Sequence, residues 1–140
     1  MVYNLLIYFY SLHHGRRKGG NMLYKMITAE DMKNDLVRMG RDYYPLEALE
    51  AYVQFCEDCG DNIEWDPIAF CCEWEYADAS DIISLYSDHM MEYLTSHGMI
   101  DVSEDGTLSD AIELYDIRDY LDYYTLNIEF KEGCFLYVAF

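Results

Sequence analysis

Thr125-Leu126-Asn127-Ile128-Glu129-Phe130, followed by Lys131-Glu132-Gly133 and then Cys134-Phe135-Leu136-Tyr137-Val138-Ala139-Phe140, is the stretch that decides the fold. Two runs rich in β-branched and aromatic residues flank a short polar turn that ends in glycine, the pattern of an antiparallel β-hairpin. A chain that closes this way is not an all-helical bundle. Upstream, however, the apolar residues recur at helical spacing. Ser109 can cap a helix with Leu114, Ile117 and Leu121 inward, and Ser80 can cap one whose Ile82, Tyr86, His89, Met90, Tyr93 and Leu94 form a broad stripe before Gly98.

Further back, Pro45 suits the first position of a helix that runs to Gly60. Its Leu46, Leu49, Val53 and Cys56 lie on one face, and Glu47, Glu50, Gln54 and Asp58 on the other. Thr28-Ala29-Glu30-Asp31 is a capping-box start for a helix near residues 29 to 39, with Gly40 as its stop. Ile68-Ala69-Phe70-Cys71-Cys72, a short apolar run introduced by Pro67, is expected to be a strand in the middle of the fold. These elements predict an α+β domain, with about four helices packed on a small antiparallel sheet that ends in the C-terminal β-hairpin.

The 140 residues are enough for one domain that buries roughly two thirds of its unfolded surface. With 52% hydrophobic residues and fifteen tyrosines, the chain lies outside the composition range of disorder despite a net charge of −18. Residues 22–140 are therefore taken as a single acidic domain. Residues 1–21 have two readings. Arg16-Arg17-Lys18-Gly19-Gly20-Asn21-Met22 can be encoded by a purine-rich stretch that resembles a translated ribosome-binding site ahead of a start codon, which would make 1–21 a non-native leader. The other reading is a native, basic, flexible arm.

All 27 carboxylates follow residue 21, and after Arg41 only Arg118 and Lys131 are basic. Internal ion pairs cannot neutralise such an excess, so the fold must carry a coherent negative field. Phosphates would be repelled, which excludes nucleic acid as a direct partner, whereas a basic protein surface is the natural complement. Five cysteines, an odd number, point to reduced thiols in a cytoplasm. The apolar start, Met1–Tyr10, is about half a membrane span and lacks the flanks of a signal peptide, so no membrane association is expected.

The stretch Leu46-Glu47-Ala48-Leu49-Glu50-Ala51-Tyr52, followed by Gly60-Asp61-Asn62-Ile63-Glu64-Trp65-Asp66-Pro67-Ile68-Ala69-Phe70-Cys71-Cys72-Glu73-Trp74, resembles a group of small acidic proteins of bacteriophages and mobile elements. The group's pattern is a Tyr/Glu-rich helix, an acidic turn, an Asp-x-Ile-Ala-x-Cys-Cys strand and a closing aromatic strand. The resemblance covers residues 43 to 76 well and the hairpin loosely. It implies a phage or prophage origin and transfers no catalytic motif. A looser analogy joins it to small acidic phage proteins, including anti-CRISPR proteins, that inhibit host defences by imitating DNA.

Cys56-Glu57-Asp58-Cys59 with Cys71-Cys72 invites a zinc site, but neighbouring strand residues point to opposite faces, which favours free thiols with Cys71 or Cys72 facing the core. Asp101 to Ser109 follows a calcium-loop pattern up to the closing ligand, where Ile112 stands in place of glutamate, so an Asp-Gly turn is the simpler reading. His89 and His97 fit structural roles, on an apolar stripe and at a helix end. No Gly-rich phosphate loop, His-Glu-x-x-His or Gly-x-Ser-x-Gly pattern occurs, so neither catalysis nor a cofactor is expected.

The carboxylates carry the functional reading. One cluster surrounds the Pro45–Gly60 helix and its exit: Glu47, Glu50, Glu57, Asp58, Asp61, Glu64 and Asp66. The other recurs every third residue: Asp110, Glu113, Asp116, Asp119 and Asp122. A carboxylate every ~4.5 Å of helix axis approximates one phosphate every ~3.4 Å of a DNA strand. The expectation is a phage-encoded inhibitor of a host defence nuclease in the bacterial cytoplasm, of anti-CRISPR or anti-restriction type, which blocks a basic DNA- or RNA-binding surface. The alternative is a phage accessory protein that binds through an apolar, aromatic surface.

Overall fold

A computed structural model describes residues 26–60, 63–98 and 112–140. The described chain is α+β, with five helices and a three-stranded antiparallel sheet. It divides into two compact units, one up to Trp74 and one over Glu75–Phe140.

The first unit holds α1 (Ala29–Arg38), α2 (Leu46–Asp58) and α3 (Pro67–Glu73). The start of α1 is the expected capping box. Thr28 Oγ1 accepts the Asp31 amide and the Asp31 carboxylate accepts the Thr28 amide, each at 3.1 Å. Gly40 ends the helix at φ +71°, a conformation open to glycine without strain. Met32 and Leu36 of α1, Ala48 and Leu49 of α2, Phe70 of α3, and Tyr44 and Trp74 are buried in this unit. Their packing is largely aromatic: Tyr52 meets Phe70 and Trp74 edge-on at 5.0 and 5.3 Å, and Tyr44 packs on Phe70 at 4.9 Å. The Tyr44 hydroxyl donates to the Trp74 carbonyl at 2.6 Å, which satisfies the polar tip of a fully buried ring.

The expected central strand at Ile68–Cys72 is a helix. Asp66 Oδ1 accepts the amides of Ile68 and Ala69 at 2.9 and 3.1 Å, and Pro67 takes the first helical position, where its missing N–H costs nothing. Asp-Pro is thus a helix start here, and it overrides the β-like character of a five-residue apolar run. Only Phe70 of that run is buried; Cys71 is half-buried beside the core residue Tyr44, and Cys72 is exposed.

The second unit contains most of β1 (Trp74–Asp78), then α4 (Ala79–Ser96), α5 (Leu114–Tyr124), β2 (Asn127–Lys131) and β3 (Cys134–Val138). The hairpin is as expected. β2 and β3 pair antiparallel with Asn127 opposite Tyr137 and Glu129 opposite Phe135, and a register shift precedes the turn at Gly133. The sheet order is β1-β3-β2, so β3 is central. The Ala79 amide bonds the Gly133 carbonyl at 2.8 Å, and the Tyr137 hydroxyl reaches Glu75 Oε2 at 3.0 Å, marking the two ends of the β1–β3 pairing.

Phe135 and Tyr137 of β3 pack with Ile82, Met90, Tyr93 and Leu94 of α4 and Ile117, Tyr120 and Leu121 of α5 in one core. The expected inward stripe of α4 is realised at Ile82, Met90, Tyr93 and Leu94, with Tyr86 half-buried, but His89 is exposed. Asp78, not Ser80, caps α4, accepting the Asp81 amide at 2.9 Å and the Ser80 hydroxyl at 2.8 Å. That carboxylate sits below the ordinary range because the Asp81 amide and the Ser80 hydroxyl bond its charged form. The expected cap Ser109 lies outside the described residues; α5 begins after Glu113, whose amide is accepted by Asp116 Oδ2 at 2.9 Å. Among the described residues no helix is long and apolar enough to cross a membrane.

Candidate partner-binding surface

Helix α2 carries the first cluster because its apolar side is committed to the first unit's core, which leaves Glu47, Glu50, Gln54, Glu57 and Asp58 exposed. At about 100° per residue these five fall within about 100° of arc, one stripe roughly 17 Å long. Gln54 donates to Asp58 at 2.9 Å, which holds the carboxylate end of the stripe in place. Glu64 is exposed beyond the helix, Asp66 is exposed but occupied as the α3 cap, and Asp61 lies outside the described residues.

The second cluster is divided by the fold. Its three-residue steps wind around α5, as expected, and they carry Asp116 inside: it is 1% exposed and caps its own helix, with Oδ1 lacking a hydrogen-bond partner among the described residues. Asp116 is therefore not a surface carboxylate. Glu113, Asp119 and Asp122 are exposed, Asp122 accepts from Asn127 Nδ2 at 2.8 Å, and Asp110 lies outside the described residues. On α5 the exposed residues are Tyr115, Arg118, Asp119, Asp122 and Tyr123, so rings and carboxylates share the surface with one arginine, which is paired to Glu129.

A second acidic row was legible in the sequence but not singled out. Asp81, Asp88 and Glu92 are all exposed on α4, and Asp88 and Glu92, one turn apart beyond the break at Tyr86, share a side of the helix. Burial and then the nearby Asp119 raise the phenol pKa of Tyr93, and burial followed by Tyr123 and Glu92 raises that of Tyr124. The carboxylates of α5 thus act on Tyr93 of α4, and Glu92 of α4 acts on Tyr124 of α5.

Almost nothing inside the second unit opposes this charge. Its only ion pair among the described residues is Arg118 with Glu129, at 2.6 Å. Lys131 is exposed on the hairpin.

The thiols do not assemble a site. Among the described residues no three His, Cys, Asp or Glu side chains come together to hold a metal ion. Cys71 and Cys72 are consecutive on a helix, not on the expected strand, so the opposite-face argument does not apply to them. Burial pushes the Cys56 thiol up to about 11, so at neutral pH it is neither a ready thiolate ligand nor a nucleophile. The calcium-like loop from Asp101 lies outside the described residues. His97 caps α4, with Nδ1 at 2.8 Å from the Tyr93 carbonyl and 3.1 Å from the Ser96 hydroxyl, and His89 Nδ1 sits 2.6 Å from the Tyr120 hydroxyl.

No family model matches the chain, and neither a curated protein nor a solved structure matches it.

Proposed function

We propose that this chain is a non-enzymatic acidic binding protein that occupies the lysine- and arginine-rich nucleic-acid channel of another protein, as an inhibitor of phage type acting on a host defence nuclease. The observation that carries this reading is the set of exposed acidic faces on α2, α4 and α5, with a single ion pair among the described residues of the second unit to offset them. Like charges at helical i, i+3 and i+4 spacing cost stability, and a stripe of them is retained where a cationic surface compensates on binding. Steering by such a field gives fast association that weakens with salt.

The test is capture of purified nuclease or host lysate at low and then high salt, with Glu47→Gln, Glu50→Gln, Glu57→Gln and Asp58→Asn combined in one variant and Asp81→Asn, Asp88→Asn and Glu92→Gln in another. A nucleic-acid-handling protein released by salt and by competing DNA, and lost with at least one variant, supports the reading. Inhibition unchanged in both variants overturns it.

A second reading rests on exposed apolar side chains: Ile68 at 61% and Leu85 at 65% exposure stand out on α3 and α4. They favour an accessory protein that assembles through these residues, in which case Ile68→Ser and Leu85→Ser abolish a salt-insensitive complex.

A further inference from the structure

Phe140 lies two residues beyond the end of β3, and its ring runs near-parallel to two tyrosines, Tyr86 of α4 at 5.0 Å with 16° between planes and Tyr124 of α5 at 5.9 Å and 8°. Tyr120 and Tyr137 meet the same ring edge-on at 6.0 and 6.3 Å. The walls of this slot are fixed. Tyr86 sits at an interruption of α4, with φ −119° and ψ 20°, and its hydroxyl lies 3.2 Å from that of Tyr137, which in turn bonds Glu75. Tyr124 packs on His89 at 4.5 Å, and His89 is bonded to Tyr120. The occupant is less committed: Phe140 remains 47% exposed.

We infer that the Tyr86–Tyr124 slot receives an arginine guanidinium of the basic partner and that Phe140 is its stand-in occupant when no partner is present; this rests on the acidic-surface reading above. A guanidinium is planar, delocalised and weakly hydrated, so it stacks between aromatic faces much as a phenyl ring does. It also gains from the negative faces of two tyrosines, which a neutral ring does not. Exposed carboxylates stand alongside: Asp88 and Glu92 lie within one turn of His89 on α4, and Glu92 adds to the field at Tyr124. Arg118 of the second unit is already engaged by Glu129, and His89 packs beside the slot, 4.5 Å from Tyr124 and 6.4 Å from Phe140. A lysine ammonium matches the charge but not the shape, so the slot discriminates between the two cations.

The full chain, as wild type and as Phe140→Ala, Phe140→Leu and Tyr124→Leu, is titrated by calorimetry with three peptides of equal length. One alternates arginine with glycine, one lysine with glycine, and one has phenylalanine in place of the basic residues. Each variant is checked for an unchanged melting transition, and Phe140→Leu removes the planar competitor while keeping apolar cover. The expected result is an arginine preference in the wild type and about tenfold tighter arginine binding in Phe140→Ala, the equivalent of about 1.4 kcal/mol. Lysine binding should be unchanged, and the preference should disappear in Tyr124→Leu. Equal, salt-sensitive binding of both basic peptides that ignores Phe140→Ala overturns the slot and leaves the acidic reading standing. A gain for the phenylalanine peptide alone makes the slot an aromatic receptor and overturns the arginine assignment. Absence of any salt-sensitive binding overturns both.

Discussion

Arg118 of α5 grips Glu129 of β2 with two hydrogen bonds, Nε to Oε2 at 2.6 Å and Nη2 to Oε1 at 2.8 Å, and the same Oε1 accepts the Gly133 amide at 2.9 Å. One carboxylate therefore ties the helix to the hairpin strand and to its turn. The Arg118 guanidinium, followed by the Gly133 amide, holds Glu129 below the ordinary carboxylate range.

Because the folded pKa of Glu129 is depressed, its contribution is fully present above the unfolded value of about 4.3 and is lost as pH falls through the lower folded value. Arg118→Gln is expected to lower stability slightly at neutral pH, because solvent screens much of this bidentate but exposed pair. Denaturant melts of both proteins from neutral to acidic pH check this: the gap between them should close below about pH 4. A gap that persists there would assign the effect to packing.

At the alkaline end the tyrosines dominate. Burial raises the phenol pKa values of Tyr44, Tyr52, Tyr120 and Tyr137 well above the ordinary range. Folded values above unfolded ones mean that stability is intact below about pH 10 and declines as pH rises beyond it. Tyrosinate absorbance and circular dichroism should therefore change together in one cooperative transition. Gradual ionisation of these phenols in a folded chain would contradict their burial.

Asp66 is a cap before it is a charge. Asp66→Ala should cost about 1 kcal/mol, up to about 2, through the lost bonds to Ile68 and Ala69, whereas Asp66→Asn removes the charge and largely keeps the cap. If Asp66 also contacts a basic partner, only the affinity, not the melting temperature, separates Asp66→Asn from the wild type.

Asp116 should behave oppositely to its exposed neighbours. Asp116→Ala is expected to lower stability by about 1–2 kcal/mol through loss of the bond to the Glu113 amide, with partner affinity unchanged once folded. Asp119→Asn and Asp122→Asn should leave melting within about 0.5 kcal/mol of the wild type, as surface changes do.

Much of the architecture was legible from residue spacing. Thr28, Asp31 and Gly40 bracket α1, Leu49 and Glu50 separate the two faces of α2, and the β-branched and aromatic runs on either side of Lys131-Glu132-Gly133 mark the hairpin. Segments went wrong where local chemistry offered two outcomes. Ile68–Cys72 has the composition of a strand, and only the Asp66 side chain bonding back to the backbone makes it a helix. Ser80 was a plausible cap, but Asp78, at the very end of β1, is the one that reaches the free amides. The acidic faces were legible as an excess of charge, and the winding of the three-residue steps was expected, but which carboxylate it would bury, Asp116, was not. The Tyr86–Phe140–Tyr124 stack was not legible at all, because it brings together three residues from separate elements.

Both tryptophans, Trp65 and Trp74, belong to the unit that ends at Trp74, and the second unit has none. Nature has thereby supplied an optical label for one half of the molecule: indole emission on heating reports the α1–α3 unit alone, and any delay between it and the helical signal measures whether the two halves come apart together.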